Sequence, residues 1–182
     1  MDRQLTFNAL LKKSKEYFSE DYKFPREKLL ISLIYLNEAL SINFKCDESA
    51  LLEAYFLRGK LRLRLHNLEK SIEDFNMAIK IDENNFLFFK YRGMAKSFLN
   101  KLNEAIADYD YAIKLNPNDP ELFIIKGQTE NDLGNFPTAI NNFDNAIQKL
   151  KIAKEDSKIP EMLKLISITN YKRHLINNND FN

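Results

Sequence analysis

FLFFKYRGMAKSFLNKLNEAIADYDYAIKLNP, which spans residues 86–117, is the most informative stretch of this sequence. Strand-like alternation between turn signals is absent from it, so we predict helices. The dipeptide Asn100-Lys101 marks a turn between two of them. Pro117 ends the second helix, because proline cannot continue one. The stretch therefore predicts a helix from about Phe86 to Leu99 and another from about Asn103 to Leu115.

This stretch belongs to a pattern that repeats every 34 residues. Small residues recur where we expect helices to approach closely, and a large ring recurs where it would fill the space between them. No such unit can bury its apolar face alone, so we predict that the units stack. The matching columns are Gly59, Gly93 and Gly127; Ser71, Ala105 and Ala139; Ile72, Ile106 and Ile140; Phe75, Tyr109 and Phe143; Ala78, Ala112 and Ala146; and Ile79, Ile113 and Ile147.

The spacing Tyr55-x2-Arg58-Gly59, followed by Ser71-x3-Phe75-x2-Ala78, resembles the tetratricopeptide repeat. Copies that begin at Phe89 and Phe123 extend the resemblance over about Leu52 to Lys151. It implies an all-α fold, a right-handed superhelical array of antiparallel helix pairs known as an α-solenoid. The sequence departs from the family pattern at five positions, where the family often has an aromatic residue or a proline: Arg62, Lys96, Glu130, Glu83 and Lys151.

The same signals predict how the chain is divided. Residues 1–46 are a degenerate N-terminal helix pair, with helices from Leu5 to Phe18 and from Pro25 to Ile42. Three repeat units, of which the last has an extended second helix that ends near Asp156, are followed by a capping helix and a frayed tail. These segments are residues 52–85, 86–119, 120–156, 160–176 and 177–182.

Composition limits the classes of function. The formal net charge is +1 and hydrophobic residues make up 45% of the chain, so a core can form and no general attraction to nucleic acid or anionic membrane is expected. Cys46 is the single cysteine, which excludes an internal disulfide. The first residues lack the apolar core of a signal peptide. We therefore expect a cytoplasmic protein without a membrane partner.

The resemblance implies that the first helices of the units line a concave groove, which is the usual partner site in the family. The residues that helical spacing places there are largely apolar, and we predict a scaffold or adaptor that binds another protein through a peptide or an amphipathic helix. The predicted groove residues are Phe56, Leu57, Lys60, Leu63, Arg64, Leu87, Lys90, Tyr91, Met94, Phe98, Ile124, Ile125 and Gln128.

Two other functions stay open. The groove could be covered by the chain's own terminal helix or by a second copy. If two copies pair through the groove or through the terminal helices, the protein is a self-associating structural module such as a homodimer. The basic run Arg58, Lys60, Arg62 and Arg64 could bind nucleic acid. We favour a structural role for Arg58, in which Arg58 pairs with Asp74. The recurrence predicts the same pair for Arg92 and Asp108, whereas Lys126 and Asn142 replace it in the third unit.

Chemistry-bearing motifs do not support an enzyme. His66, His174 and Cys46 have no ligands or bases at suitable spacing, so we predict no metal, no cofactor and no catalytic residue. Many tetratricopeptide proteins hold a chaperone's C-terminal carboxylate with lysine, asparagine and arginine. The corresponding places here carry Phe56, Lys60, Tyr91, Glu121 and Ile125. We therefore predict no such carboxylate clamp.

Overall fold

The computed structural model describes residues 2–19, 21, 24–42 and 47–179, and side chains as far as 176. Within these ranges the chain forms helices and no strands, which confirms the predicted all-α helical-repeat fold. No described helix is both long enough and apolar enough to cross a membrane. The helices are α1 (Arg3–Glu16), α2 (Arg26–Ser41), α3 (Glu48–Arg64), α4 (Leu68–Ile81), α5 (Phe86–Phe98), α6 (Leu102–Leu115), α7 (Pro120–Asp132), α8 (Phe136–Ile152) and α9 (Ile159–Asn179), with a 3₁₀ turn at Asp156–Lys158.

Aspartate side chains define where three helices begin. Asp2 accepts a hydrogen bond from the Gln4 amide at 2.9 Å, so α1 starts two residues before the predicted Leu5. Asp47 caps α3 in the same way through the Ala50 amide. Asp119 caps α7, and a proline follows it at the first position of the helix. Such caps satisfy amides that have no partner inside the helix.

A left-handed residue lies in the turn between the two helices of each of three pairs, at the 34-residue step. His66, Asn100 and Gly134 have φ values of 58°, 59° and 85°. After His66 the Asn67 amide bonds to the Arg62 carbonyl at 2.8 Å, and the equivalent bonds follow the other two residues at 2.9 and 2.8 Å. This hydrogen bond is the Schellman ending of a helix. The sequence predicts where these turns lie, but not that their backbone adopts the left-handed conformation.

A fourth left-handed residue, Lys154, ends α8 early. Its φ is 59°, and the following amide of Glu155 bonds to the Leu150 carbonyl at 2.9 Å. The helix therefore stops at Ile152 rather than near the predicted Asp156. At the other end of the C-terminal region, α9 continues to residue 179, into the segment predicted to be frayed, and residues 180–182 lie outside the described part. The division of the chain into repeat units stays a prediction.

The chain forms two compact units, residues 1–95 and residues 96–182. The core of the first unit joins α1, α2 and α3 through buried apolar side chains. They are Phe7, Leu10, Leu11, Leu29, Leu36, Ala39, Ala54, Leu57 and Leu61. Burial of each large side chain stabilises the fold by about 1.5–3 kcal/mol, so α1 and α2 are anchored to α3.

The core of the second unit joins α8 to α9. Met162 of α9 is buried with residues of α8, and Ile159, Leu165 and Ile166 pack against the same cluster. The α8 residues in that cluster are Ala139, Phe143, Ala146, Ile147 and Leu150. One face of α9 therefore covers α8, as expected for a capping helix.

Gly59 and Gly127 occupy equivalent places in the two units. A Cβ added at Gly59 would lie 2.7 Å from Cε1 of Phe75, and one added at Gly127 would lie 2.7 Å from Cε1 of Phe143. Both rings are fully buried. These contacts agree with the prediction that glycine lets the two helices of a unit approach closely.

Candidate functional site

An aromatic cluster joins α3, α4 and α5 in the first unit. The ring centroid of Phe56, on α3, lies 5.0 Å from that of Phe88 and 5.6 Å from that of Tyr91, both on α5 and both in edge contact with it. Phe75 of α4 stacks on Tyr91 at 6.0 Å. Phe75 and Phe88 are buried, whereas Phe56 and Tyr91 are half-buried. The cluster therefore presents two rings to the surface over a rigid aromatic base.

Lys60 lies among half-buried rings of this cluster and of the N-terminal region. Its Nζ is 5.3 Å from the ring centroid of Phe56, 5.2 Å from that of Tyr91 and 5.0 Å from that of Phe18, which follows α1. An ammonium this close to aromatic faces is attracted by their negative centres. We call Phe18, Phe56, Lys60 and Tyr91 the aromatic surface. It combines apolar area with one positive charge.

The chain's own residues border this surface on one side. Besides Phe18, the connection after α1 supplies two backbone carbonyls that accept hydrogen bonds from the Arg64 guanidinium, those of Ser19 and Asp21, the latter at 2.8 Å. Arg64 was predicted to line the groove. These bonds show that it ties α3 to the N-terminal helix pair.

Three further predicted groove residues need correction. The side chains of Leu57, Leu63 and Lys90 are buried. Leu57 belongs to the core of the first unit, so it supports the surface without lining it. Helical spacing gives the side of a helix on which a residue lies but not how deeply neighbouring helices cover it. We therefore leave these three out of the proposed contact surface.

The other predicted residues of α5 remain accessible in part. Leu87 and Met94 are half-buried, and their spacing of four and three residues from Tyr91 places them on the same side of α5. They can extend the apolar area of the aromatic surface along this helix.

The second unit holds the rest of the predicted groove. Phe98 is 60% exposed and Gln128 is exposed, whereas Ile124 and Ile125 are half-buried. Ile124 packs against the cluster that includes Met162. Ile124 therefore contributes to the core of the second unit as well as to its surface.

The basic run on α3 is engaged inside the first unit. Arg58 donates to both carboxylate oxygens of Asp74, at 2.7 Å through Nη2 and at 3.1 Å through Nε, and Arg62 donates to Asp74 at 2.7 Å. The Asp74 carboxylate is almost fully buried. Burial raises the pKa of the Asp74 carboxyl, and both arginines offset part of that rise. These geometries confirm the predicted Arg58–Asp74 pair.

The polar contacts of the later repeats extend this pattern. Asp108 pairs with Lys96 at 2.9 Å, which repeats the pair of Asp74 with Arg62 one 34-residue step later. Arg92 donates to Asn76 at 2.7 Å and Lys126 donates to Asp110 at 2.6 Å, in each case to a residue 16 positions earlier. The amide of Asn142 donates to the Thr138 carbonyl. The repeat step alone does not predict the contacts of Arg92 and Lys126 with the preceding helix.

The two histidines belong to different compact units. His66 is exposed at the turn between α3 and α4, and His174 is exposed on α9. Cys46 lies outside the described residues.

Known proteins give similarity at the level of repeats and of fold. A family model described as "Tetratricopeptide repeat" matches residues 52–85 and 92–119. No curated protein matches the sequence significantly. Among solved structures, the TPR2B domain of yeast Sti1 in complex with pHsp70 is 23% identical, with a TM-score of 0.64, and the match covers 68% of this chain and 98% of that one.

Two further solved structures are similar in the same way. The first TPR of Spaghetti (RPAP3), bound to an HSP90 peptide, is 20% identical with a TM-score of 0.60, over 72% of this chain and 95% of that one. The type III secretion chaperone SycD of Yersinia enterocolitica, in complex with a peptide of the translocator YopD, is 15% identical with a TM-score of 0.58, over 65% and 94% of the two chains. Because the sequence identities are this low, the structural similarity establishes a shared fold and nothing more.

Proposed function

Because this chain is a tetratricopeptide repeat protein, we propose that it is a protein-interaction scaffold that binds a peptide segment or an amphipathic helix. The observation that carries the proposal is the aromatic surface, where the half-buried rings of Phe56 and Tyr91 flank Lys60. A surface of rigid rings offers binding area with little side-chain entropy to lose. The structurally similar Sti1, RPAP3 and SycD domains were each solved with a peptide or protein ligand, which supports the same class of partner.

The chemistry of this surface indicates the chemistry of the guest. The rings of Phe56 and Tyr91, with Leu87 and Met94 beside them, favour an aliphatic or aromatic anchor. Lys60 favours an acidic residue next to that anchor, because an ammonium attracts a carboxylate. We propose a guest with at least one apolar anchor and one neighbouring aspartate or glutamate.

The expected affinity is moderate. A guest that covers about 500 Å² of apolar surface gains roughly 12 kcal/mol, at about 25 cal/mol/Å². Association costs about 4–15 kcal/mol in lost freedom. A micromolar, exchangeable complex is therefore expected.

The proposal excludes a chaperone-tail clamp. Phe56 occupies the place of a clamp lysine and Tyr91 the place of a clamp asparagine, and Glu121 would repel a terminal carboxylate. We expect fluorescence anisotropy to show no tight binding of an acidic peptide that depends on its free C-terminus. Amidation of that terminus is the matched control, and a large loss of affinity on amidation would refute this part of the proposal.

A selection from a displayed peptide library tests the main proposal. We expect peptides with an apolar anchor and an adjacent acidic residue to be enriched, and we expect Tyr91→Glu to reduce their affinity at least about tenfold, or 1.4 kcal/mol. Lys60→Met should reduce affinity for acidic peptides but not for their amide counterparts. Ile152→Glu, at a residue that is 77% exposed in the second unit, is the control. Unchanged binding by Tyr91→Glu, with its helicity intact in circular dichroism, would remove the aromatic surface from the site.

Self-association is the second candidate function. It is favoured by exposed apolar side chains on α2 and α9, which lie outside the aromatic surface. A role in nucleic-acid binding is not favoured, because Arg58 and Arg62 are held by Asp74 and Arg64 is held by carbonyls of the N-terminal region.

A further inference from the structure

α2 carries apolar residues on every side. Leu29 and Leu36 face the core and are buried. Leu30, Ile31 and Ile34 face away from it and are between 37% and 62% exposed. A helix that is hydrophobic all round is typically covered on all sides. Within the part of the chain that the structure describes, the outer side of α2 therefore lacks the cover that its composition favours.

Glutamates stand at both ends of this outer side. Glu27, Ile31, Ile34 and Glu38 are spaced by four, three and four residues, which aligns them on one side of the helix. Both glutamates are exposed. The basic residues nearby, Arg26 and Lys28, point roughly 90–110° away at 3.6 residues per turn. We call these four aligned residues the α2 stripe, which is apolar at its centre and acidic at its ends.

α9 carries a second stripe with the same spacing. Lys164, Ile168, Tyr171 and Leu175 are also spaced by four, three and four residues. Ile168, Tyr171 and Leu175 are between 42% and 64% exposed. Met162, which packs on α8, lies on the opposite side of the helix. We call these residues the α9 stripe.

The charges on the α9 stripe are opposite to those on the α2 stripe. Lys164 stands in line with the apolar residues, and Lys172 flanks them about 70° to one side. Glu161 lies one turn before Lys164, and Arg173 and His174 point away from the stripe. Over residues 164–175, the apolar α9 stripe is thus accompanied by a net positive charge.

We propose that the α2 stripe of one copy binds the α9 stripe of a second copy. Both stripes span eleven residue steps, or about 16 Å of helix. With the helices antiparallel, Ile31 meets Tyr171, Ile34 meets Ile168 and Glu38 meets Lys164. With the helices parallel, the apolar positions still meet and Glu27 faces Lys164. Two copies of the α2 stripe would bring glutamates together, whereas the α9 stripe sets Lys164 against a glutamate of the α2 stripe in either direction, and this charge complementarity favours a second copy as the occupant.

When the α2 stripe of one copy binds the α9 stripe of another, one end of the pair still has a free α2 stripe and the other end a free α9 stripe. Such a head-to-tail contact extends until it closes into a ring or continues as a chain of copies. The surfaces involved are separate from the aromatic surface, so the assembly would multiply the number of peptide-binding sites and raise their avidity.

Analytical ultracentrifugation between about 10 µM and about 1 mM chain tests the proposal. We expect the average mass of the wild type to rise with concentration. Ile34→Glu and Tyr171→Glu, both at exposed positions, should each stay monomeric, because each lacks one stripe. An equimolar mixture of the two variants should form a complex of two chains, since one variant retains the α9 stripe and the other the α2 stripe.

Several outcomes would overturn it: a wild type that remains monomeric throughout, variants that associate as the wild type does, or a mixture that gives no complex. If the stripes bind another protein in place of a second copy, the wild type will remain monomeric.

Charge reversal provides an independent measurement. Lys164→Glu should weaken association about tenfold, and either Glu38→Lys or Glu27→Lys should restore it, according to helix direction. Restoration by neither would contradict the proposal.

Discussion

Replacement of Gly59 by alanine tests whether the packing of a repeat depends on glycine. In an open helix, alanine in place of glycine stabilises by about 1 kcal/mol through helix propensity. Here the new Cβ would lie 2.7 Å from Cε1 and 3.0 Å from both Cδ1 and Cζ of Phe75. Overpacking in a filled core costs about 1–3 kcal/mol. The Phe75 ring is fully buried and cannot turn aside, so we take the upper half of that range.

The expected net result is a loss of about 1–2 kcal/mol in the free energy of unfolding. Urea denaturation followed by circular dichroism measures it. Gly127→Ala should behave in the same way, because its Cβ would lie 2.7 Å from Cε1 of Phe143. Gly134→Ala provides a contrast. Nothing lies within 4 Å of its Cβ, but its φ of +85° strains any other residue, so its loss should come from the backbone alone.

A double-mutant cycle identifies the ring as the cause. Phe75→Leu removes the ring atoms that the new Cβ meets, so adding Gly59→Ala to Phe75→Leu should stabilise by up to about 1 kcal/mol, with a coupling energy of about 2–3 kcal/mol. Phe75→Leu should not change the effect of Gly134→Ala, which lies in the other unit. If Gly59→Ala stabilised the wild type by about 1 kcal/mol, the ring contact would have no energetic weight and the reasoning would fail.

Two further predictions concern the turns and the buried charges. His66→Gly should raise the free energy of unfolding by about 1 kcal/mol, because a left-handed backbone with φ of 58° costs a residue other than glycine about 1–2 kcal/mol. His66→Ala is the control, measured by thermal unfolding. An equal gain in stability from His66→Ala would refute the conformational cause. Asp74→Asn should lower the free energy of unfolding by about 3 kcal/mol in urea denaturation, since Arg58 and Arg62 lose their shared carboxylate. Asp110→Asn is the matched control, because its carboxylate is 48% exposed in its pair with Lys126. It should cost less than about 1 kcal/mol in the same experiment.

The repeat step made the fold predictable. Gly59 and Phe75 recur as Gly127 and Phe143, and both pairs form the contact that their columns predicted. Arg58 and Asp74 were paired by the same reasoning. Position in a repeat predicts such contacts because equivalent residues meet equivalent neighbours.

Details that depend on neighbouring helices could not be predicted in this way. Leu57, Leu63 and Lys90 share a side of their helices with accessible residues but are buried, because burial depends on how far the adjacent helix pair extends over them. Arg64 bonds to carbonyls of a connection that has no counterpart in the regular repeats. Lys126 found a partner in the preceding helix pair. Each of these outcomes depends on a residue outside the repeat that was being compared.

The left-handed residues at positions 66, 100 and 134 have a consequence for how this protein can change in length. An insertion of a single residue within a helix rotates everything beyond it by about 100°, which would move a glycine away from the ring that it faces. Gain or loss of a whole 34-residue segment, joined from one such turn to the next, restores every facing pair. Homologues that differ in length are therefore expected to differ by complete units counted between these turns.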